Sequence, residues 1–197
     1  MSEVRKNVVA YQQQIDRLTV LLTLLNEKRT RLAWLRFGSV AAAFSICYLL
    51  WSFGLFIAIS SFLLLFALFL RLVILDGRNK NKIDNATTLI EINKEEIKIT
   101  DHQFIHRDDG SEFLPATHAY AADLDLFGRA SLYQYINRTT SEQGHHTLSC
   151  WLLEPAIEDD ILQRQEAAGE LADKIEWRQQ LQAYGIKNHL TILQNKR

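Results

Sequence analysis

The sequence predicts a mainly α-helical protein that consists of a two-helix transmembrane hairpin, a coiled-coil stalk and a distal helical region. Residues 37–70 form 34 consecutive positions without a charged residue, His, Asn, Gln or Pro, a pattern untypical of soluble helices and strands. Heptad spacing precedes this stretch, and helix-capping signals follow it. The 8 Gly and 2 Pro favour long helices and exclude collagen-like and low-complexity chains. The two cysteines, Cys47 and Cys150, provide no disulfide framework and favour a reducing compartment.

Residues 1–32 predict an amphipathic coiled-coil helix. Apolar residues recur there at alternating spacings of three and four, and Arg29 interrupts this heptad stripe. The stripe consists of Val4, Val8, Tyr11, Ile15, Leu18, Leu22, Leu25 and Leu32. Such a stripe requires a partner helix, which comes either from the same chain or from a second copy in a homodimer.

Residues 33–75 predict a transmembrane helical hairpin. A single helix of 34 residues would be about 51 Å long, whereas the hydrocarbon layer is roughly 30 Å thick. We place the reversal at residues 51–54, where Trp51 suits the membrane interface and Gly54 lets the chain turn. Each pass then has roughly 20 residues, the length that a bilayer needs. The predicted membrane-interface residues are Trp34, Arg36, Trp51 and Arg71.

The charge distribution indicates a hairpin whose base lies in the cytoplasm. Residues 1–82 carry 11 basic and 4 acidic side chains, net +7, while residues 83–112 carry −5 and residues 113–197 carry −3. Both flanks of the apolar stretch are basic, so the positive-inside rule places both termini in the cytoplasm. The bilayer is thus the expected partner, and anionic lipid attracts such residues by about 1 kcal/mol per charge. A cleavable signal peptide would begin earlier in the chain, and a soluble protein of this size has too little other apolar surface to bury two such helices.

Residues 76–112 predict a return helix followed by a linker. A second heptad stripe consists of Ile83, Ala86, Ile90, Asn93 and Ile97. Because a hairpin brings the chain back beside its start, this stripe can pack antiparallel on that of residues 1–32. We favour this intramolecular pairing over a homodimer built from the first stripe.

Residues 113–197 predict a domain of short helices. Capping boxes, an acidic first turn, a glycine and a proline mark the helix boundaries. These signals are Ser131 with Gln134, Gly144 and Pro155, Glu158 to Asp160, Asp173 with Glu176, and Gly185 at the last helix end. Helical periodicity assigns the following side chains to the core: Trp151, Ile161, Leu162, Gln165, Ala168, Leu171, Trp177, Leu181 and Tyr184.

A series of short motifs occurs in order between residues 118 and 185. The residues that carry it are Leu124, Asp125, Gly128, Ser131, Leu132, Asn137, Arg138, Thr139, Gly144, Leu148, Trp151, Leu152, Pro155, Ile161, Arg164 and Gln165. This series resembles the start of the core, or lever, domain of the MutS family of DNA mismatch repair proteins. The variant to which it is most similar is the membrane-anchored MutS-like protein of bacteria, in which a transmembrane hairpin replaces the mismatch-reading domains.

The resemblance implies an ATPase domain with a phosphate-binding loop of the type G-x-x-x-x-G-K-[ST], which this sequence does not contain. We therefore expect the chain to be either the amino-terminal part of a longer ATPase or a truncated relative, and not an enzyme by itself. ATP and Mg²⁺ are implied only for the further domain. His146 stands where the family often has an arginine. Binding of mismatched DNA follows from the resemblance alone, and the distal region lacks the clustered basic residues of a DNA groove.

No catalytic, cofactor-binding or metal-binding constellation is predicted. His102 and His106 have the i, i+4 spacing of zinc ligands, but no HExxH glutamate lies between them. The expected function is therefore to anchor the protein and to relay motion to an ATPase domain. The alternative is a non-enzymatic membrane scaffold or sensor with a coiled-coil stalk. A metal-dependent membrane enzyme is the third hypothesis.

Overall fold

The computed structural model describes residues 2–50 and 55–188 of the chain, and all regular secondary structure in these two ranges is helical. The predicted mainly α-helical fold is therefore confirmed. The reversal that the sequence predicts at Trp51 to Gly54 lies outside the described residues.

Two long helices are followed by several short ones. The helices are α1 (Ser2–Leu50), α2 (Leu55–Thr100), a 3₁₀ helix (Ser111–Phe113), α3 (Leu132–Ile136), α4 (Glu142–Leu153), α5 (Glu158–Ala172) and α6 (Ile175–Lys187). The chain divides into two compact units. One is Gln13–Ile90, and the other combines Met1–Gln12 with Glu91–Arg197.

In the unit Gln13–Ile90, α1 and α2 pack against each other as a hairpin. The residues buried between them lie at the predicted heptad positions and next to them: Ile15, Leu18 and Leu32 on α1, and Ala86, Leu89 and Ile90 on α2. Because this burial arises within one chain, the first stripe has its partner helix without a second copy. The heptad pattern thus predicts the contact surface of both helices.

Two polar contacts show that the hairpin is antiparallel. Nη1 of Arg36 lies 3.1 Å from Oδ2 of Asp76, and Nδ2 of Asn79 donates to the carbonyl oxygen of Leu25 at 2.9 Å. The later residue of α1 thus contacts the earlier residue of α2. Asn79 is only 3% exposed, and its Oδ1 is buried without a hydrogen-bond partner, so the bond from Nδ2 offsets only part of the cost of burying the amide. This bond joins one point of α2 to one point of α1 and so fixes the register of the helices.

The apolar parts of both helices are exposed to the surroundings. Only 11% of the most apolar stretch of α1 and 6% of that of α2 is buried. Phe44, Phe56 and Leu64 are 72%, 91% and 74% exposed. Two adjacent helices can cover only the strip that they share, so the remaining apolar surface has no protein partner among the described residues. Both helices are long and apolar enough to span a membrane.

The distal helices surround a small hydrophobic core. It consists of Ala121, Leu126, Phe127 and Tyr133, against which Phe113, Tyr120, Leu148, Leu152 and Leu153 pack. Gly110 approaches this core with φ of 65°, and a Cβ on it would lie 2.6 Å from Cδ1 of Tyr133. Only glycine fits both the left-handed backbone and the close contact.

The start of α3 agrees with the sequence prediction, whereas that of α4 does not. Oγ of Ser131 accepts a hydrogen bond from the backbone N–H of Gln134, as a capping residue should. For α4, the prediction that Gly144 marks the boundary before the helix is wrong. The helix begins at Glu142, because Oγ of Ser141 accepts from the backbone N–H of Gly144 and so places this glycine in the first turn.

The predicted core faces of α5 and α6 are also wrong. No residue of α5 is buried, and the side chains of Trp177, Leu181 and Tyr184 on α6 are 54%, 57% and 66% exposed. The buried residues of α6 are Gln179 and Ala183 instead. Trp151, at 53% exposure, lies outside the core as well.

Gly185 of α6 packs closely on the segment before α4. A Cβ on it would lie 1.9 Å from Oγ1 of Thr140. The helix also continues past Gly185 to Lys187 and begins at Ile175, where Lys174 occupies the capping position and Asp173 does not.

Replacing Gly110 with alanine should destabilise the distal region by about 1–3 kcal/mol, because the new Cβ both strains the backbone and overpacks the core. The amide of Tyr133 donates to the carbonyl of Leu126 at 3.0 Å. Hydrogen exchange at this amide, in the full chain in detergent, measures the loss of stability. Gly169→Ala is the matched control. A Cβ there meets nothing within 4 Å, and alanine inside α5 should stabilise by about 0.5–1 kcal/mol. Equal protection in the two variants would contradict the packing of Gly110.

Candidate functional site

Two adjacent carboxylates near the end of α2 bind basic side chains from later parts of the chain. Oε1 of Glu95 lies 2.6 Å from Nε2 of His106 and 3.4 Å from Nη1 of Arg107. Glu96 accepts two hydrogen bonds from the guanidinium of Arg138, Nε to Oε1 at 2.5 Å and Nη2 to Oε2 at 3.0 Å. This parallel pair of bonds is the strongest geometry available to an arginine and a carboxylate.

The environment of Glu95 keeps its carboxylate ionised. Burial alone would raise the pKa of Glu95, but the hydrogen bond and the charge of His106, together with those of Arg107, outweigh burial and lower the pKa. The carboxylate of Glu95 therefore stays negatively charged beside His106 and Arg107.

A buried pair of amides joins α2 to α6, and its member on α2 precedes Glu95 by two residues. Nδ2 of Asn93 donates to Oε1 of Gln179 at 3.1 Å, and Nε2 of Gln179 donates back to Oδ1 of Asn93 at 2.8 Å. The two residues are 0% and 6% exposed. Loss of either amide would leave the other buried without its hydrogen bond, which is costly. We call Asn93, Glu95 and Glu96 with their partners His106, Arg107, Arg138 and Gln179 the polar junction.

The turn after α3 is held by hydrogen bonds of Asn137. Its Oδ1 accepts from the backbone N–H of Thr139 at 2.9 Å and from Oγ1 of Thr139 at 2.7 Å. Its carbonyl oxygen accepts from Nη2 of Arg107. Asn137 is 4% exposed, so a buried side chain holds this turn. The next residue, Arg138, bonds to Glu96.

The buried side chain of Gln134 connects α3 to the linker that follows α2. Nε2 donates to the carbonyl oxygens of Ile105 at 3.0 Å and Arg107 at 2.7 Å, and Oε1 accepts from the backbone N–H of Ala130 at 2.8 Å. The amide thus uses both donors and its acceptor. The capping glutamine predicted from the sequence therefore has a second task, which is to hold the linker.

The hydroxyl of Tyr133 is enclosed in the same region. It lies 2.8 Å from Nδ1 of His145. Burial raises the pKa of Tyr133, and the negative charges of Asp108 and Glu112 raise it further. The phenol therefore stays protonated.

A cleft of about 860 Å³ lies beside the polar junction. Glu96 and Arg138 form part of its wall, and the rings of Tyr135, Trp177 and Tyr184 form much of the rest. Arg138 is engaged by Glu96, so the cleft presents mainly aromatic and apolar surface.

The residues of the predicted motif series fall into three groups. The first group lies at the polar junction and in the turns next to it, and it consists of Ser131, Asn137, Arg138, Thr139 and Gly144.

The second group lies in the loop before α3. Asp125 and Gly128 have φ of 47° and 98°. The carbonyl of Asp125 accepts from the amide of Leu132 at 3.0 Å, and the amide of Gly128 donates to the carbonyl of Asp109 at 2.8 Å. Leu124 is 61% exposed.

The third group belongs to α4 and α5. Leu148 and Leu152 pack on the distal core, and Pro155 follows the end of α4. The guanidinium of Arg164 lies 4.2 Å from the centre of the Trp151 ring, in a cation–π contact. The side chains of Ile161 and Gln165 are exposed.

The predicted membrane-interface residues lie on the long helices. Trp34 is 69% exposed, Arg71 is exposed, and Arg36 is paired with Asp76. Trp51 lies outside the described residues.

The sequence analysis did not identify Glu95, Glu96, Arg107 and Gln179 as site residues. The net charge of −5 in residues 83–112 was the only available signal, because the partners of these groups lie up to 86 residues away. In the ranges that the structure describes, no three His, Cys, Asp or Glu side chains are arranged to hold a metal ion.

Comparisons with known proteins found no matching family, no matching curated protein and no matching solved structure.

Replacing Arg138 with alanine should cost about 1.5–3 kcal/mol of unfolding free energy, because the half-buried Glu96 loses its charged hydrogen bonds. Arg138→Lys should recover only part of this unfolding free energy, since an ammonium cannot form two parallel hydrogen bonds with the carboxylate of Glu96. Lys174→Ala removes the exposed pair with Glu170 and should cost about 0–1 kcal/mol. Denaturant titration of the full chain in detergent measures all three. A cost for Arg138→Ala no larger than that for Lys174→Ala would contradict the role of this pair.

Proposed function

We propose that the chain is the membrane-tethered amino-terminal part of a MutS-like ATPase of the bacterial inner membrane. In this proposal, the hairpin anchors the protein, and the distal helices relay motion to and from an ATPase domain further along the polypeptide. The observation that carries the anchoring function is the exposure of the apolar stretches, of which only 11% and 6% is buried. Water is a poor solvent for such a surface, and a lipid bilayer is a good one.

Charge and aromatic residues support the proposed topology. Basic residues flank the apolar stretch on both sides, at Arg36 before it and at Arg71 after it. Trp34 is exposed next to the first of these, as expected for a side chain in the interface. Both ends of the hairpin therefore belong in the cytoplasm, where an ATPase domain has access to ATP.

The polar junction supports the relay of motion. It joins residues 93–96 of α2 to Arg138 after α3 and to Gln179 on α6 through paired hydrogen bonds. Displacement of α3 or α6 relative to this part of α2 would break charged or buried hydrogen bonds, which are costly to lose. A change in the distal helices would thus be transmitted to α2 rather than absorbed between them.

Nucleotide chemistry is assigned to the further domain and not to these residues. The 197 residues contain no phosphate-binding loop, so ATP and Mg²⁺ would be held elsewhere in the parent protein. Residues 113–197 carry a net charge of −3, and we assign no DNA contact to them.

A membrane scaffold is the second candidate function. Large apolar side chains of α5 and α6 are exposed, among them Leu162, Trp177 and Leu181, and such side chains are available for contacts with another protein. Sequencing the reading frame beyond Arg197 distinguishes the two functions. A G-x-x-x-x-G-K-[ST] loop downstream supports the ATPase, and a stop codon directly after Arg197 contradicts it and favours the scaffold.

The proposed topology predicts which side of the membrane each position faces. In a background with Cys47 and Cys150 replaced by serine, Ser2→Cys and Gln163→Cys should resist a membrane-impermeant maleimide in intact spheroplasts and react after permeabilisation. Ser52→Cys, in the predicted external turn, should react without permeabilisation and is the positive control. Reaction of only one of the two cytoplasmic positions in intact spheroplasts would show a single crossing and overturn the hairpin topology.

A further inference from the structure

A cleft lies on α1 at the start of the apolar stretch. It has a volume of about 650 Å³ and is lined by Arg29, Thr30, Ala33, Trp34, Arg36 and Phe37. We call it the boundary cleft. The uncharged residues 37–70 begin at its last member, so in the proposed topology it lies where the cytoplasmic headgroups meet the hydrocarbon.

The boundary cleft contains one uncompensated positive charge. Arg31, just outside it, is paired with Glu27 at 3.8 Å, and Arg36 is paired with Asp76 at 3.1 Å. Arg29 is exposed and has no ion-pair partner within the described part of the chain. No acidic residue lines the cleft. A guanidinium in this situation is suited to bind a phosphate with two parallel hydrogen bonds.

Aromatic rings form the apolar side of the boundary cleft. The rings of Trp34 and Phe37 meet edge to face, with centroids 6.2 Å apart, and each side chain is 69% exposed. A free phosphate ion would contact Arg29 and leave both rings uncovered. A molecule with a phosphate at one end and hydrocarbon at the other would cover both parts of the cleft.

We propose that the boundary cleft binds an anionic phospholipid of the cytoplasmic leaflet. The guanidinium of Arg29 binds the phosphate, and the rings of Trp34 and Phe37 contact the glycerol backbone and the upper acyl chains. Arg36 adds little net charge, because Asp76 already compensates it. This inference rests on the proposed membrane anchor and adds to it a site with a preferred lipid class.

The test compares variants that change the net charge equally. Full-length protein purified in detergent is titrated with phosphatidylglycerol and, in a parallel arm, with phosphatidylcholine, and bound lipid is counted by native mass spectrometry. One phosphatidylglycerol per chain should be retained in preference to phosphatidylcholine. Arg29→Gln should weaken its binding by about fivefold, and Arg31→Gln, which lies outside the cleft, by less than twofold.

Further arms identify the source of the phosphate. Trp34→Ala should weaken retention of phosphatidylglycerol, and inorganic phosphate at millimolar concentration should not displace the lipid. Displacement of the lipid by inorganic phosphate would show a phosphate-ion site and overturn the proposal. If Arg29→Gln and Arg31→Gln weaken the binding of phosphatidylglycerol equally, the lipid is attracted diffusely by basic residues, and the proposed site is overturned.

Failure of this site and failure of the anchor give different results. If alkaline washing leaves the wild type and Arg29→Gln in the membrane while both bind phosphatidylglycerol equally, only the lipid site is refuted. If alkaline washing releases the wild type, the membrane anchor itself is refuted.

Discussion

The structure depends on one constraint, which is that two adjacent helices cannot cover their own apolar surface. The side chains of Phe44, Phe56 and Leu64 point away from the neighbouring helix, and no described residue covers them. The strip that α1 and α2 share is used instead to fix their register, through Asn79 and the Arg36–Asp76 pair. Asn79 and Leu25 lie outside the predicted membrane segment, residues 33–75, so their hydrogen bond fixes the register in the stalk.

The distal region is specified in a different way. Its core is small, with Tyr133 as the largest buried side chain, so apolar burial alone would determine the arrangement of the short helices poorly. Buried hydrogen-bond networks are directional and supply the missing specificity. The Glu96–Arg138 pair and the Asn93–Gln179 pair do this at the polar junction, where they connect the end of α2 to the turn after α3 and to α6.

Features set by nearby residues could be predicted from the sequence. The length of the uncharged stretch predicts two long helices, and the Ser131 cap needs only the backbone three residues later. The orientation of α6 could not be predicted. Helical periodicity identifies an apolar face, but it does not show whether that face packs against the core or is exposed. The buried Gln179 exchanges hydrogen bonds with Asn93, which lies 86 residues away in the sequence, and no local pattern reveals such a partner.

The central claim is that lipid covers the exposed apolar surface of α1 and α2, and alkaline carbonate extraction of membranes from expressing cells tests it most directly. The account predicts that the full chain stays with the membrane pellet at high pH and is released only when detergent dissolves the bilayer. Recovery of folded protein in the supernatant without detergent would contradict the account, since a partner other than lipid would then have to cover these helices.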